Sequence, residues 1–428
     1  MAIKIEELVN CRACGGTDFE VKVILGDLYP SAFLEGAIST ETERAPLVLV
    51  ECKTCNLVQL KHTVELDSMY KQYWYRSGLN KSMVSDLKDV YLKSTKISGA
   101  VLHVDIGCND GTLSKYFKDS GIVSIGFDPA NNLKADAQKN CSIFVNDYFG
   151  KKSYYRALDA LQDKRYVGRN PYYRKVDIIT AIAMFYDLPD PNQFMRDINS
   201  ILHEDGIFVV QLTDLYSMLK INAFDNICHE HLEYYTLNWL VKFFEEHGLT
   251  IFDAEYNKVN GGSLRIYACH FGRRNPTIRL AYYMFREEMY FYLHSSWDDE
   301  LLDNIISIGK KVKRVLLDAK NPYGLGASTK GNTLLQVLKI NSTILNGIGE
   351  VNNEKFGLYT VGTSIPILSE SDVMKRNPDI CLVLPFHFEK TFLRNCDEYL
   401  NKGGKLLFPM PKPRIAYKEN GKLKWKYL

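Results

Sequence analysis

The chain has 428 residues, 46% hydrophobic and 24% charged, with 53 basic against 51 acidic side chains and a formal net charge of +2. That balance excludes a mainly disordered chain and one that holds polyanions by bulk charge. At roughly 100–200 residues per domain it predicts two to four domains. No apolar run reaches the length of a membrane span, and the start (Met1-Ala2-Ile3-Lys4-Ile5-Glu6-Glu7) lacks the apolar core of a signal peptide. A cytoplasmic chain is expected, in which the ten cysteines are not disulfides by default.

Residues up to about 70 hold paired cysteines among short irregular strands. Cys11-x-x-Cys14 and Cys52-x-x-Cys55 form two knuckles that can set four thiolates tetrahedrally around Zn²⁺. Four cysteines leave no open coordination position, so the metal is expected to be structural. A small section with little core gains most from such a staple.

From about 71 to 270, strand-like runs alternate with helical patterns. The strands are Val101–Ile106, Ser124–Phe127, Ser142–Val145, Val176–Ala183, Gly206–Leu212 and Leu264–His270. This alternation predicts a doubly wound α/β sheet. The first strand ends at Asp105 and turns through Gly107, Cys108, Asn109, Asp110 and Gly111 into a helix, where glycine lets the backbone approach a ligand. The spacing Asp-x-Gly-x-x-x-Gly is not the Gly-x-Gly-x-x-Gly of a dinucleotide pyrophosphate site. It resembles the first motif of class I S-adenosylmethionine-dependent methyltransferases, which implies that Asp105, Gly107, Asn109 and Gly111 hold the donor's amino-acid part. Asp128 ends the next strand, where a carboxylate can accept both ribose hydroxyls. Asp147 ends the third, placed for the adenine amino group, with Tyr148 or Phe149 against the ring face. Cys108 is read as a small residue without a chemical role. Asn170-Pro171-Tyr172-Tyr173 superficially matches the Asn/Asp-Pro-Pro-Tyr motif of amino methyltransferases. It precedes the strand it should end, and is read as a decoy.

Phe224–Tyr235 follows the Gly206–Leu212 strand and contains His229, Glu230, His231, Glu233, Tyr234 and Tyr235. Histidines two apart cannot share a helix face, so this is not the His-Glu-x-x-His zinc motif. Imidazoles beside a carboxylate suit proton abstraction near neutral pH, and a loop at a strand's carboxyl end is where an α/β active site sits.

A charged helical stretch, Thr277–Lys320, carries Tyr282, Tyr283, Phe285, Tyr290, Phe291 and Tyr292, read as packing between domains. Asn321-Pro322-Tyr323-Gly324 breaks it. A second, smaller α/β unit is then expected. Its strands end near Gly324–Ala327 and lie near Ile344–Glu350, Ile380–Phe386 and Lys405–Phe408; its helices cover Gly331–Ile340 and Glu389–Leu400. Between the first strand and helix, Ser328, Thr329 and Lys330 with the helix-start amides suit a diphosphate. This is not a P-loop, because Gly-x-x-x-x-Gly-Lys-Ser/Thr is absent. His387 sits at a strand end on the same side.

The chain as a whole resembles the three-domain sugar C-methyltransferase family that acts on nucleotide-linked deoxysugars. The likeness rests on the paired knuckles, Leu25-Gly26, Pro30-Ser31-Ala32-Phe33 and Tyr73-Trp74-Tyr75-Arg76-Ser77-Gly78. It continues through Asp105–Gly111, Phe224–Tyr235, Gly261-Gly262-Ser263-x-Arg265 and Gly324–Lys330. It implies a zinc-binding domain over 1–70, a class I methyltransferase domain over 71–275, a helical connector over 276–320 and a Rossmann-like nucleotide-sugar-binding domain over 321–428. It implies S-adenosylmethionine and structural zinc as cofactors, and a small nucleotide sugar as partner, with no nucleic acid and no membrane. His231 is the implied general base, with His229, Glu230, Tyr75 and Asp187 beside it. Tyr73, Cys228, Asn260, Ser328 and Lys330 are the implied acceptor-binding set. In the implied reaction a 4-keto group acidifies the hydrogen on carbon 3, a base removes it, and the enolate takes the methyl group. Enolate oxygen needs nearby donors. Two positions depart from the family pattern: Cys228 stands where a tyrosine is often found, and Asp187 where a histidine is often found. Both leave O- or N-methylation of a related sugar open. A zinc-ribbon nucleic-acid methyltransferase or binding protein is the weaker alternative, because no basic stripe flanks the knuckles.

Overall fold

Strands buried on both faces read as mainly apolar runs, and the central runs do, with buried polar exceptions at His103, Asp105, Ser124, Thr180 and Gln211. In the computed structural model, which describes residues 4–36, 43–97, 99–161 and 174–428, Leu102–Ile106 (β1) and Val123–Phe127 (β2) are buried along their whole length. With Ile143–Val145 (β3), Val176–Ile182 (β4), Leu202–Leu212 (β5), Leu249–Asn257 (β6) and Ser263–His270 (β7) they form one seven-stranded sheet of order 3-2-1-4-5-7-6. Strands β1 to β5 are parallel, and β7 runs antiparallel between β5 and β6. The expected doubly wound sheet is present. The Asn170–Tyr173 decoy lies outside the described residues. Strand β6 was not anticipated from sequence: its second half (Asp253, Glu255, Tyr256, Asn257) is only partly buried, so its pattern is mixed.

Helix Thr112–Asp119 starts after Gly111 at φ +76° and buries Leu113 and Phe117 against Met83, Leu87 and Val90 of helix Lys81–Ile97. The order reversal between β1 and β4 opens a crevice at their carboxyl ends, the usual ligand position in such sheets.

The C-terminal unit repeats this plan. Its strands, in sheet order, are Ile367–Ser369, Ile348–Glu350, Pro322–Leu325, Ile380–Val383, Leu406–Phe408, Arg414–Glu419 and Lys422–Tyr427. The first five are parallel, and the closing hairpin is antiparallel. Its order also reverses, between Pro322–Leu325 and Ile380–Val383. The expected helix Glu389–Leu400 is broken at Cys396 into Glu389–Asn395 and Asp397–Asn401.

The connector is two helices, Ile278–Leu293 and Trp297–Leu317. The second buries Leu301, Ile305, Ile308, Val312 and Leu316, a helical stripe, in the C-terminal core. The first corrects the aromatic expectation. Tyr283 and Tyr290 do pack, edge-on to Tyr256 and Tyr216, each at 5.0 Å. Tyr282, Phe285 and Tyr292 face solvent instead.

The N-terminal section forms a sheet from Phe19–Leu28, Ala45–Cys52 and Val58–Leu60, completed by Glu233–Tyr234 from the central domain. Its Phe33–Leu34 pairs with Tyr359–Thr360 of the C-terminal unit. Among the described residues no helix is long and apolar enough to cross a membrane.

Candidate active site

The four knuckle sulfurs lie within 4.8 Å of one another, with Cys11 to Cys55 at 3.7 Å and Cys14 to Cys52 at 3.5 Å. A tetrahedron with Zn–S bonds of about 2.3 Å has edges of roughly 3.8 Å, so the sulfurs stand where zinc would hold them. Gly15 at φ +74° turns the first knuckle, and Gln59 Nε2 donates to Cys11 Sγ at 3.1 Å. The donor set is closed, as a structural zinc site requires.

Both order reversals open onto a single cavity of about 480 Å³. Its donor end is built by the β1 and β2 loops. Gly107 sits at a left-handed φ of +69°, which favours glycine, and a Cβ there would crowd the Met184 side chain at 3.0 Å. Asp128 is 8% exposed; its carboxylate accepts the N–H of Asn109 at 2.8 Å and of Ala130 at 2.9 Å. A carboxylate offers about four acceptor sites, so two remain for hydroxyl donors such as those of a ribose. Asp147, Tyr148 and Phe149 line the same end, and Tyr148 OH donates to Asp67 at 3.2 Å.

Asp105 lines the cavity, and each of its two oxygens accepts one bond, from Thr180 Oγ1 at 2.8 Å and Ser114 Oγ at 2.9 Å. Thr180 and Ser124 in turn bond the two ring nitrogens of His103, each at 2.9 Å. Burial pushes the Asp105 carboxyl up to about 7. Asn109 is held the same way: its side chain donates to Tyr75 O at 3.0 Å and accepts Ser77 N–H at 2.9 Å, fixing the Tyr73–Ser77 segment over the loop. Gly111 is a correction, because it is not on the cavity wall. It caps the following helix, and a Cβ there would meet Asn140 at 2.8 Å, so its glycine serves the turn.

The other end is lined by Tyr70, Tyr73, Tyr75, Tyr186, Asp187, Glu230 and His231. His231 Nδ1 lies 2.9 Å from the Asn226 carbonyl, which can only accept; Nδ1 therefore carries the proton and Nε2 the lone pair. Burial, helped by the charge of Lys330, pushes the imidazole down to about 3, so it is neutral near pH 7. The Tyr186 ring packs on it at 4.1 Å. Burial pushes Glu230 up to about 7, against the pull of Lys330. Burial, then the charge of Glu230, holds the Asp187 carboxyl well above the usual range.

His229, expected beside the base, turns away from the cavity. Its Nε2 bonds the Ala45 carbonyl of the zinc-binding section at 3.0 Å, in a turn that His231 N–H closes on the Cys228 carbonyl at 3.1 Å. Cys228, expected to touch the acceptor, is 1% exposed behind Glu230, with its Sγ 3.9 Å from Glu230 Oε2. Tyr70 and Tyr186 escaped sequence reading, since no spacing marks either one.

The C-terminal unit closes the cavity with Ser328, Thr329, Lys330, Pro385, His387 and Phe388, and Asn260 lines it from the central domain. Ser328 caps helix Thr329–Val337 through Gly331 N–H at 3.0 Å. Lys330 Nζ donates across the cleft to Asn226 Oδ1, leaving two of its three donors. Gly326, at φ +80°, lets the two strand ends approach; a Cβ there would fall 2.6 Å from Pro385.

Comparison with known proteins matches three families in succession. Residues 11–70 match a zinc binding domain, 89–254 a methyltransferase domain and 258–411 a C-methyltransferase C-terminal domain. C-methyltransferase NovU of Streptomyces niveus is 27% identical over 432 residues, covering 97% of this chain and 99% of that protein. Solved structures are far looser matches. A S-adenosylmethionine-dependent methyltransferase from Clostridium acetobutylicum is 13% identical, with a TM-score of 0.32 over 44% of this chain and 92% of that one. Magnesium protoporphyrin IX methyltransferase from Synechocystis is 12% identical, with a TM-score of 0.30 over 44% and 78%. Similarity that loose carries no weight beside the strand order and the run of three families. The chain is a S-adenosylmethionine-dependent C-methyltransferase of the three-domain type, with zinc-binding, methyltransferase and C-methyltransferase C-terminal domains.

Proposed function

We propose that the protein methylates carbon 3 of a nucleotide-linked 4-keto-deoxysugar, a small-molecule acceptor. We take the domains to be 1–70, 71–275, the connector 276–320 and 321–428. The observation that carries the reading is the shared cavity: the carboxyl-end crevices of two doubly wound sheets face each other across His231. One crevice suits the donor nucleoside; the other, with the Ser328–Lys330 helix start, suits the acceptor's diphosphate.

S-adenosylmethionine supplies the electrophilic methyl group when bound. Asp128 takes the ribose hydroxyls, and Asp147 and Tyr148 flank the adenine. His231 Nε2 takes the proton from carbon 3, and the proton then rests on Nε2 while Nδ1–H stays on the Asn226 carbonyl. That fixed bond holds the ring in the tautomer a base needs. Tyrosine hydroxyls at the same end, with Tyr75 OH buried and unpartnered, supply donors for the oxygen that gains charge. Product analysis by mass spectrometry and NMR on a panel of nucleotide sugars tests the reading. A single new methyl on carbon 3 supports it; methylation on oxygen or nitrogen, or of no nucleotide sugar, refutes it.

A further inference from the structure

Among the described residues, one face of helix Ile278–Leu293 is left uncovered. Ile278, Tyr282, Phe285, Met289 and Tyr292 follow one another at intervals of four, three, four and three residues, the a/d repeat of a coiled-coil seam. At 3.6 residues per turn they fall within about 80° of arc and run for about 21 Å along the helix. Each is between 38% and 88% exposed. A strict a/d stripe is narrower than the band with which a helix covers a globular core, and is the shape that pairs with another helix.

The helix cannot roll to hide the stripe, because its other face is pinned. Leu280 is buried in the core of the central domain. Glu287 accepts the N–H groups of Leu237 and Asn238 at 2.7 and 2.8 Å, which caps helix Leu237–Glu246. Tyr283 and Tyr290 are held edge-on against Tyr256 and Tyr216.

Area and composition say what covers the stripe. At roughly 200 Å² for a whole aromatic side chain, the five residues expose on the order of 700 Å². The largest apolar patch of an ordinary monomer is about 300–600 Å², and a standard interface takes about 800 Å² from each partner. Aromatic and methionine side chains in a helix without lysine are the composition of an interface centre. A helix lying on a lipid surface carries a cationic flank. Here both arginines are engaged within the chain: Arg279 pairs with Asp253, and the Arg286 guanidinium lies 4.8 and 4.9 Å from the ring centres of Tyr283 and Tyr256. The stripe itself has no charge that would select a partner of opposite sign. A heptad seam is its own complement when a two-fold axis sets two copies face to face.

We propose that this stripe is a dimer interface, in which helix Ile278–Leu293 pairs with the same helix of a second copy of the chain. None of its five residues lines the cavity, so each protomer keeps a complete site.

The test is sedimentation velocity on the full-length zinc-loaded protein. Across about 1–100 µM, the range of ordinary specific association, a species of twice the 49.1 kDa chain mass should form. Phe285→Glu sets a charge at the middle of the seam in both copies and should weaken association by about 100-fold or more, as loss of a central aromatic anchor does. Tyr282→Glu, one turn away, should do the same. Val351→Glu, at an exposed valine of the C-terminal unit, should leave the dimer intact. S-adenosylhomocysteine binding at wild-type affinity shows that each variant is folded, since the seam is exposed in a single protomer. A monomer throughout the range, a dimer that survives both seam variants, or open-ended assembly overturns the proposal. So does a monomer that co-sediments with phosphatidylcholine–phosphatidylglycerol vesicles and loses them in Phe285→Glu, which would assign the stripe to a lipid surface.

Discussion

Replacing Asp128 with alanine tests the donor site most directly. The wild-type carboxylate accepts two backbone N–H groups, from Asn109 and Ala130, and keeps two acceptor sites free at the cavity wall. Hydrogen bonds to a charged group contribute about 1.5–3 kcal/mol each. Losing both ribose contacts, with water replacing part of the interaction, comes to about 3 kcal/mol, or roughly 100-fold in affinity. The two amides also lose their acceptor. They lie at a cavity that water can enter, so unfolding stability should fall by only about 1–2 kcal/mol. Asp128→Asn keeps one acceptor oxygen and should lose about tenfold. Calorimetric titration with S-adenosylhomocysteine, beside thermal unfolding of each variant, separates the two effects. Binding by Asp128→Ala within threefold of wild type, in a folded protein, would refute the ribose assignment.

Metal analysis should find about one zinc per chain, and removal by a chelator should lower the melting temperature; a metal-free protein of undiminished stability would end the zinc argument. Deuterium exchange at carbon 3 of a 4-keto nucleotide sugar should disappear in His231→Asn, and exchange that persists moves the base elsewhere. Because burial raises Glu230 to about 7, its carboxylate is lost as pH falls through that value. An acid limb of kcat/KM near pH 7 should therefore appear in wild type and vanish in Glu230→Gln. His231, held near 3, gives no limb in that range. Gly326→Ala should lower stability by about 1–3 kcal/mol, since its Cβ would fall 2.6 Å from Pro385 at a left-handed backbone position; an unchanged melting temperature would show that the two strand ends can part.

Much of the fold was legible because its signals are local. Each parallel strand is a short apolar run closed by a turn residue, and the Cys-x-x-Cys pairs state their own spacing. What stayed hidden depends on neighbours distant in sequence. Strand β6 has a polar outer half because it lies at a sheet edge. The exposed face of helix Ile278–Leu293 and its packed face carry the same residue types. The site divided in the same way. Asp128 is expected from its place at a strand end, whereas residue type leaves His229 and His231 alike and only the resemblance singles out His231. His229 is held away from the cavity by the Ala45 carbonyl beside the pairing of Glu233–Tyr234 with Val58–Gln59, contacts to the neighbouring domain and far off in sequence. Tyr70 and Tyr186 acquire a role only once the C-terminal unit closes over them.

That pairing also explains why a methyltransferase sheet carries a zinc-stapled section at all. The acid–base segment is short and irregular, with no helix of its own to hold it. Its His229 is anchored on the Ala45 carbonyl, Leu60 N–H bonds Leu232 O at 2.8 Å, and Glu233–Tyr234 becomes the fourth strand of the zinc-side sheet. The same section reaches the other domain: Ser31 Oγ bonds Thr329 O and Asn332 Nδ2 bonds Ala32 O, both at 2.9 Å, at the helix start that lines the cavity. A section too small to build a large core is thereby made rigid by four thiolates, and it fixes His231 against both crevices at once. Loosening the staple should disturb the acid–base end before the donor end, because Asp128 and Gly107 are held within the central sheet, by β1, β2 and β3. Chelated protein should accordingly keep S-adenosylhomocysteine binding at temperatures where His231-dependent exchange has already been lost. Simultaneous loss of both would show that the section supports the whole fold and does not specifically position its base.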